Sequence, residues 1–125
     1  MARVMLDSSC VIALISPDDG HRLAIQKALS VKDQFSISAI TLAEALVYGA
    51  KSGDLKKHRD AIMGLPVTVV DVSSEIAVAA AQIRADSNIK IPDAIISATA
   101  TMVKAQLWTF DAGLANSHKG AVLIS

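Results

Sequence analysis

The chain has 125 residues, 52% of them hydrophobic, which is the size and apolar content of one compact domain over 1–125 and excludes a disordered chain. Phe, Trp and Tyr make up only 3%, so the core must be built from Ala, Val, Ile and Leu, and an extended base-stacking platform is not expected. Twelve Lys+Arg against twelve Asp+Glu argue against coating nucleic acid by bulk electrostatics, though not against nucleic acid held at one small site.

Arg3-Val4-Met5-Leu6 reads as a short apolar strand ending at Asp7, with Ser8-Ser9 starting a helix through Cys10 to Ile15. Asp7, Ser8 and Ser9 interrupt the first apolar stretch, so a signal peptide is not expected. No window approaches the ~20 apolar residues of a membrane span, and a cytoplasmic protein is expected. Cys10 is the sole cysteine, which leaves no disulfide framework and no thiolate zinc cluster; it reads as a buried core thiol.

Beyond the turn cluster Ser16–Gly20, helical spacing runs from His21 to Val31, and Phe35 to Ser38 is a second strand. Helices follow over Thr41–Ala50 and Leu55–Met63, the latter with a solvated face of Lys56, Lys57, His58 and Arg59. Val67–Val70 is a β-branched third strand, and Ser73-Ser74 opens a long helix. Asn88–Ile91 makes no convincing strand. Pro92 marks a new start, with a helix over Asp93–Lys104. Gln106–Phe110 reads as a fourth strand, Asp111–Ser117 as a short helix or turn, and Ala121–Ile124 as a last strand. Short apolar strands alternating with helices predict an α/β fold of three layers, a parallel sheet of four or five strands covered by helices.

In such sheets ligands bind beyond the carboxyl ends of the strands. Asp7 follows the first strand, Glu44 lies early in the helix after the second, Asp111 follows the fourth, and Asp93 opens a helix. Each also has an ordinary explanation. Thr41-Leu42-Ala43-Glu44 matches a capping box, Asp93 suits an acidic first turn, and Asp7 and Asp111 are common strand-to-helix residues. Capping alone does not account for the apolar surroundings of Asp7, Asp93 and Asp111. Neighbouring carboxylates repel by about 2–4 kcal/mol per pair at an effective dielectric near 20, a large share of the ~5–15 kcal/mol net stability of a domain. That points to divalent cations: all-oxygen ligands select Mg²⁺ or Mn²⁺, which activate water and neutralise a phosphodiester during in-line displacement. Relief of repulsion then predicts Asp7→Asn and Asp93→Asn to be at least as stable as the parent without metal. Ser8, Ser9 and Thr109 are candidates to orient water or phosphate, although local capping also explains them.

At these positions the chain resembles a known family. Leu6-Asp7-Ser8-Ser9, Glu44 within Ser38–Glu44, Pro92-Asp93-Ala94-Ile95-Ile96-Ser97-Ala98-Thr99-Ala100 and Thr109-Phe110-Asp111 are similar to the PIN domain, above all to VapC-type toxins of prokaryotic toxin–antitoxin pairs. The resemblance implies a metal-dependent endoribonuclease with catalytic and metal-holding Asp7, Glu44, Asp93 and Asp111, Mg²⁺ or Mn²⁺ as cofactor, and transfer or ribosomal RNA as substrate, cut to leave a 5′-phosphate and a 3′-hydroxyl. It further implies a homodimer and a VapB-like antitoxin whose tail blocks the pocket. Many members carry a further acid just after the last Asp, whereas Ala112, Gly113, Leu114 and Ala115 supply none, which implies a weaker hold on a second metal. Two alternatives are a phospho-accepting receiver domain, for which Asp71 and Lys104 are poorly placed, and a catalytically silent binding module. Arg84 is a candidate partner for a pocket acid or a phosphate. His21, His58 and His118 show no metal-ligand spacing.

Overall fold

The computed structural model describes residues 2–29 and 32–125. In chain order its elements are β1 (Arg3–Leu6), α1 (Ser8–Ile15), α2 (Arg22–Ala28), β2 (Gln34–Ser38), α3 (Ala39–Lys51), α4 (Leu55–Met63), β3 (Val67–Val70), α5 (Ser74–Asp86), α6 (Ile91–Met102), β4 (Gln106–Thr109), α7 (Ala112–Ser117) and β5 (Val122–Leu123). The strands form one wholly parallel sheet in the order β3-β2-β1-β4-β5. Five strands between helical layers is the α/β architecture read from the sequence.

Period-two alternation divides the sheet between two cores. Val4, Leu6, Phe35 and Ile37 point to one face and meet Cys10, Val11 and Ala13 of α1, Ile25 of α2, Ala45 of α3 and Ile62 of α4. Met5 and Leu107 point to the other, against Ile76 and Ala80 of α5, Ala94, Ile96, Ala98 and Ala100 of α6, and Leu114 of α7. Strands covered on both sides read as uninterrupted apolar runs, which is why β1 was legible without alternation in its sequence.

Several boundaries move for local reasons. The helix expected from Thr41 starts at Ala39, because Ser38 ends β2 and also caps α3, its hydroxyl accepting from Ile40 N at 3.2 Å. The helix expected from Asp93 starts at Ile91, with Pro92 in the first turn, where a missing N–H costs nothing. It stops at Met102, two residues short of expectation. Lys104 takes a left-handed φ of 56°, and Ala105 N closes onto Ala100 O at 2.9 Å. The helix expected over His21–Val31 spans Arg22–Ala28; Ser30 and Val31 lie outside the described residues. β4 ends one residue early at Thr109, and the final strand shortens to Val122–Leu123. α5 leads into α6 with no strand between them, as the weak Asn88–Ile91 segment suggested.

Neighbours diverge in chain order on either side of β1: β2 and β3 lie one way, β4 and β5 the other. The crevice between the carboxyl ends of β1 and β4 is therefore the topological switch point, where open α/β sheets place their ligands.

Candidate active site at the carboxyl edge of the sheet

Leu6 pairs with Trp108 in the β1–β4 register, so Asp7 emerges beside Thr109. Asp7 is only 3% exposed and caps α1. Its Oδ1 accepts from Cys10 N at 3.0 Å and from Ser9 Oγ at 2.6 Å, and its Oδ2 accepts from the buried Thr109 hydroxyl. A carboxylate has roughly four acceptor positions, so the protein's three donors orient Asp7 and leave about one position to face outward. Thr109 Oγ1 also accepts from Asp111 N at 2.9 Å, and Ser9 Oγ accepts from Phe110 N at 3.1 Å. These two hydroxyls stitch the end of β1 to the end of β4, holding Asp7 and Asp111 in fixed relation.

Asp111 is exposed and caps α7, its Oδ1 accepting from Gly113 N at 2.8 Å and Leu114 N at 3.4 Å. The cap roles expected of Asp7 and Asp111 are therefore real. The capping box is not. Thr41 is buried within α3 and Glu44 lies in its second turn, reaching α1 instead: Ser8 Oγ donates to Glu44 Oε1 at 2.6 Å, with Thr41 Oγ1 3.3 Å from the same hydroxyl. Of the three hydroxyls, Ser9 and Thr109 position Asp7, and Ser8 positions Glu44.

Asp93 is half-buried in the first turn of α6. Burial, followed by the negative charges of Asp111, Asp7 and Glu44, raises its pKa above the ordinary carboxylate value, while Lys90 acts against them. All four acids, drawn from four separate segments, thus act on one locality with negative charge in excess. The ion pair formed among the described residues, Arg59 to Asp60 at 3.9 Å, does not involve them. Arg84 donates to Ser87 O at 3.3 Å, the next turn of its own chain, and pairs with no pocket acid.

All-oxygen donors with unbalanced negative charge suit a hard divalent cation, and Asp7, Glu44, Asp93 and Asp111 are the candidates that could hold one. Among the described residues, however, no three Asp, Glu, His or Cys side chains stand as a ready-made metal cage.

The structure also bears on one expectation and adds residues. Three donors converge on Asp7, so removing its charge sacrifices hydrogen bonds as well as relieving repulsion; Asp93 has no such ties among the described hydrogen bonds. Thr41 enters the site through Ser8, a link spanning 33 residues that no local pattern announces. His118 stays outside it: its Nδ1 lies 2.6 Å from Ser97 Oγ, and burial holds its pKa down. Asp71 follows β3, an edge strand, rather than the central strand from which a receiver domain presents its aspartate.

Among solved structures, a toxin–antitoxin complex from Klebsiella pneumoniae superposes over 95% of this chain and 95% of that chain, with a TM-score of 0.79 and 29% identity. The sarcin–ricin loop cleaving toxin VapC20 of Mycobacterium tuberculosis covers 96% and 97%, with a TM-score of 0.81 and 17% identity. DNA-bound VapBC from Salmonella typhimurium covers 97% and 96%, with a TM-score of 0.75 and 23% identity. Comparison with curated proteins gave no match. The family model of the PIN domain matches residues 4–119. With its parallel sheet and acid-lined switch point, this chain belongs to the PIN-domain family.

Proposed function

We propose that this protein is a VapC-like toxin: a cytoplasmic, metal-dependent endoribonuclease that hydrolyses RNA phosphodiesters at Asp7, Glu44, Asp93 and Asp111. One observation carries the reading. Ser9 and Thr109 tie Asp7 to the segment that carries Asp111, 104 residues away, and Ser8, next to Asp7, holds Glu44, while burial and these three carboxylates push the Asp93 pKa up. Membership of the PIN family and the likeness to a toxin–antitoxin complex at 29% identity support it. A bound Mg²⁺ or Mn²⁺ supplies an activated water and neutralises phosphodiester charge. The chain's part is orientation. Ser9 and Thr109 fix Asp7, Thr109 fixes the Asp111 backbone, and Ser8 fixes Glu44, so that the carboxylates approach a cation from set directions.

Transfer or ribosomal RNA is the proposed substrate class, a VapB-like antitoxin the regulator, and a homodimer the working form. The deciding experiment incubates the purified chain with total RNA, with and without Mn²⁺. Cleavage that stops in EDTA, returns with Mn²⁺ and is absent in Glu44→Gln is expected. Cleavage surviving thorough chelation would overturn the metal mechanism, and a folded parent with no cleavage at all would favour the catalytically silent module.

A further inference from the structure

Beside the acids lies a cavity of about 320 Å³ lined by Ser9, Ile12, Asp19, His21 and Phe110. Ser9, which donates to Asp7, forms part of its wall, and Phe110 directly precedes Asp111, so the cavity adjoins residues that hold or flank two of the acids. The His21 and Phe110 rings meet edge to face, with centroids 4.2 Å apart and planes at 70°. His21 is exposed, and Phe110 and Asp19 are partly so. The loop carrying His21 is tied by its own backbone, whose N–H donates to Asp19 Oδ1 at 2.8 Å, leaving that carboxylate further acceptor capacity.

A chain with two Phe, one Trp and one Tyr has no stacking platform, yet one of those rings, paired with a histidine, stands next to an acid of the site. Single-stranded RNA is recognised through bases splayed from their neighbours and stacked on aromatic rings, His included, with hydrogen bonds to the base edge. From this geometry we infer that the His21–Phe110 cavity is a subsite for one unstacked nucleobase flanking the scissile phosphate, with Asp19 accepting from N–H groups on the base edge. The inference rests on the nuclease reading and deepens it, making His21 a residue that positions the substrate while the acids perform the hydrolysis.

The test uses a short RNA spanning a cleavage site mapped on total RNA, and a set of versions with single abasic nucleotides around the scissile bond. For the parent, kcat/KM should fall about 10-fold or more at one flanking position, the size expected when a base–ring stack is lost. His21→Ala should lower kcat/KM on the intact RNA by a similar factor and be nearly indifferent to that abasic position. His21→Phe should restore both the rate and the sensitivity. An abasic penalty of full size in His21→Ala, or no flanking position at which the parent is sensitive, overturns the subsite while leaving the nuclease reading intact. A folded parent that cleaves no RNA overturns both.

Discussion

Asp7→Ala and Asp93→Asn should move thermal stability in opposite directions, although both remove one negative charge from the same crevice. Asp7→Ala deletes the cap of α1, worth about 0.5–2 kcal/mol. It also strands the buried Thr109 hydroxyl, at about 1–3 kcal/mol. Ser9 is partly exposed, and water can replace its bond. Charge relief at the half-exposed Asp93 returns at most about 1 kcal/mol, leaving a net loss of about 0.5–5 kcal/mol, or roughly 2–20 °C in melting temperature for a domain of this size. Asp93→Asn should instead gain a few degrees at neutral pH. The sign follows from linkage. A carboxyl whose folded pKa is raised above its unfolded value costs stability above the folded pKa and nothing below the unfolded one, so the advantage of the amide should shrink as pH falls towards 3.8 and be absent beneath it. Differential scanning calorimetry of the three metal-free proteins across this range is the assay. Equal or greater stability of Asp7→Ala, or an advantage of Asp93→Asn that persists in acid, would refute the division of the acids into a structural and a repelling member.

Three further outcomes concern other parts of the molecule. Mn²⁺ at about 100 times its dissociation constant should stabilise the parent by about 2.7 kcal/mol in a thermal-shift measurement and leave Asp93→Asn much less affected. Gly49→Ala should destabilise by about 1–3 kcal/mol, read by urea denaturation, because a Cβ on buried Gly49 would come 2.7 Å from His58 Cβ across the α3–α4 contact. Burial and the neighbouring Asp7 push the Cys10 thiol well above its ordinary pKa, so a thiol-titrating reagent should find no reactive thiol in the native protein and one after unfolding.

Strands β1, β2 and β3 were readable because buried parallel strands are short apolar runs, and α6 because its buried face is nearly unbroken from Ala94 to Ala100. Helix starts were less legible. Ser38 serves as the last strand residue and as a cap at once, and a local motif at Thr41–Glu44 imitated a capping box that tertiary contacts with Ser8 override. The four acids were singled out by their places after strands and early in helices. What held them was not, since Ser8 to Glu44, Ser9 to Phe110 and Thr109 to Asp7 are bonds across 36, 101 and 102 residues. The His21–Phe110 pair was hidden for the same reason: a low aromatic content says nothing about where the few rings meet.

The sheet's strand order has a consequence for synthesis. β1 sits between β2, which is made soon after it, and a β4 that begins only at Gln106, and Asp111 comes later still. A nascent chain arrested before Gln106 therefore has one open side on its central strand and lacks Asp111, so it should be protease-sensitive and, on the proposed function, without RNA cleavage. On the proposed function, vectorial translation delays assembly of the four-acid cluster until β4 and Asp111 have been made, so the growing chain should not cut the RNA from which it is translated.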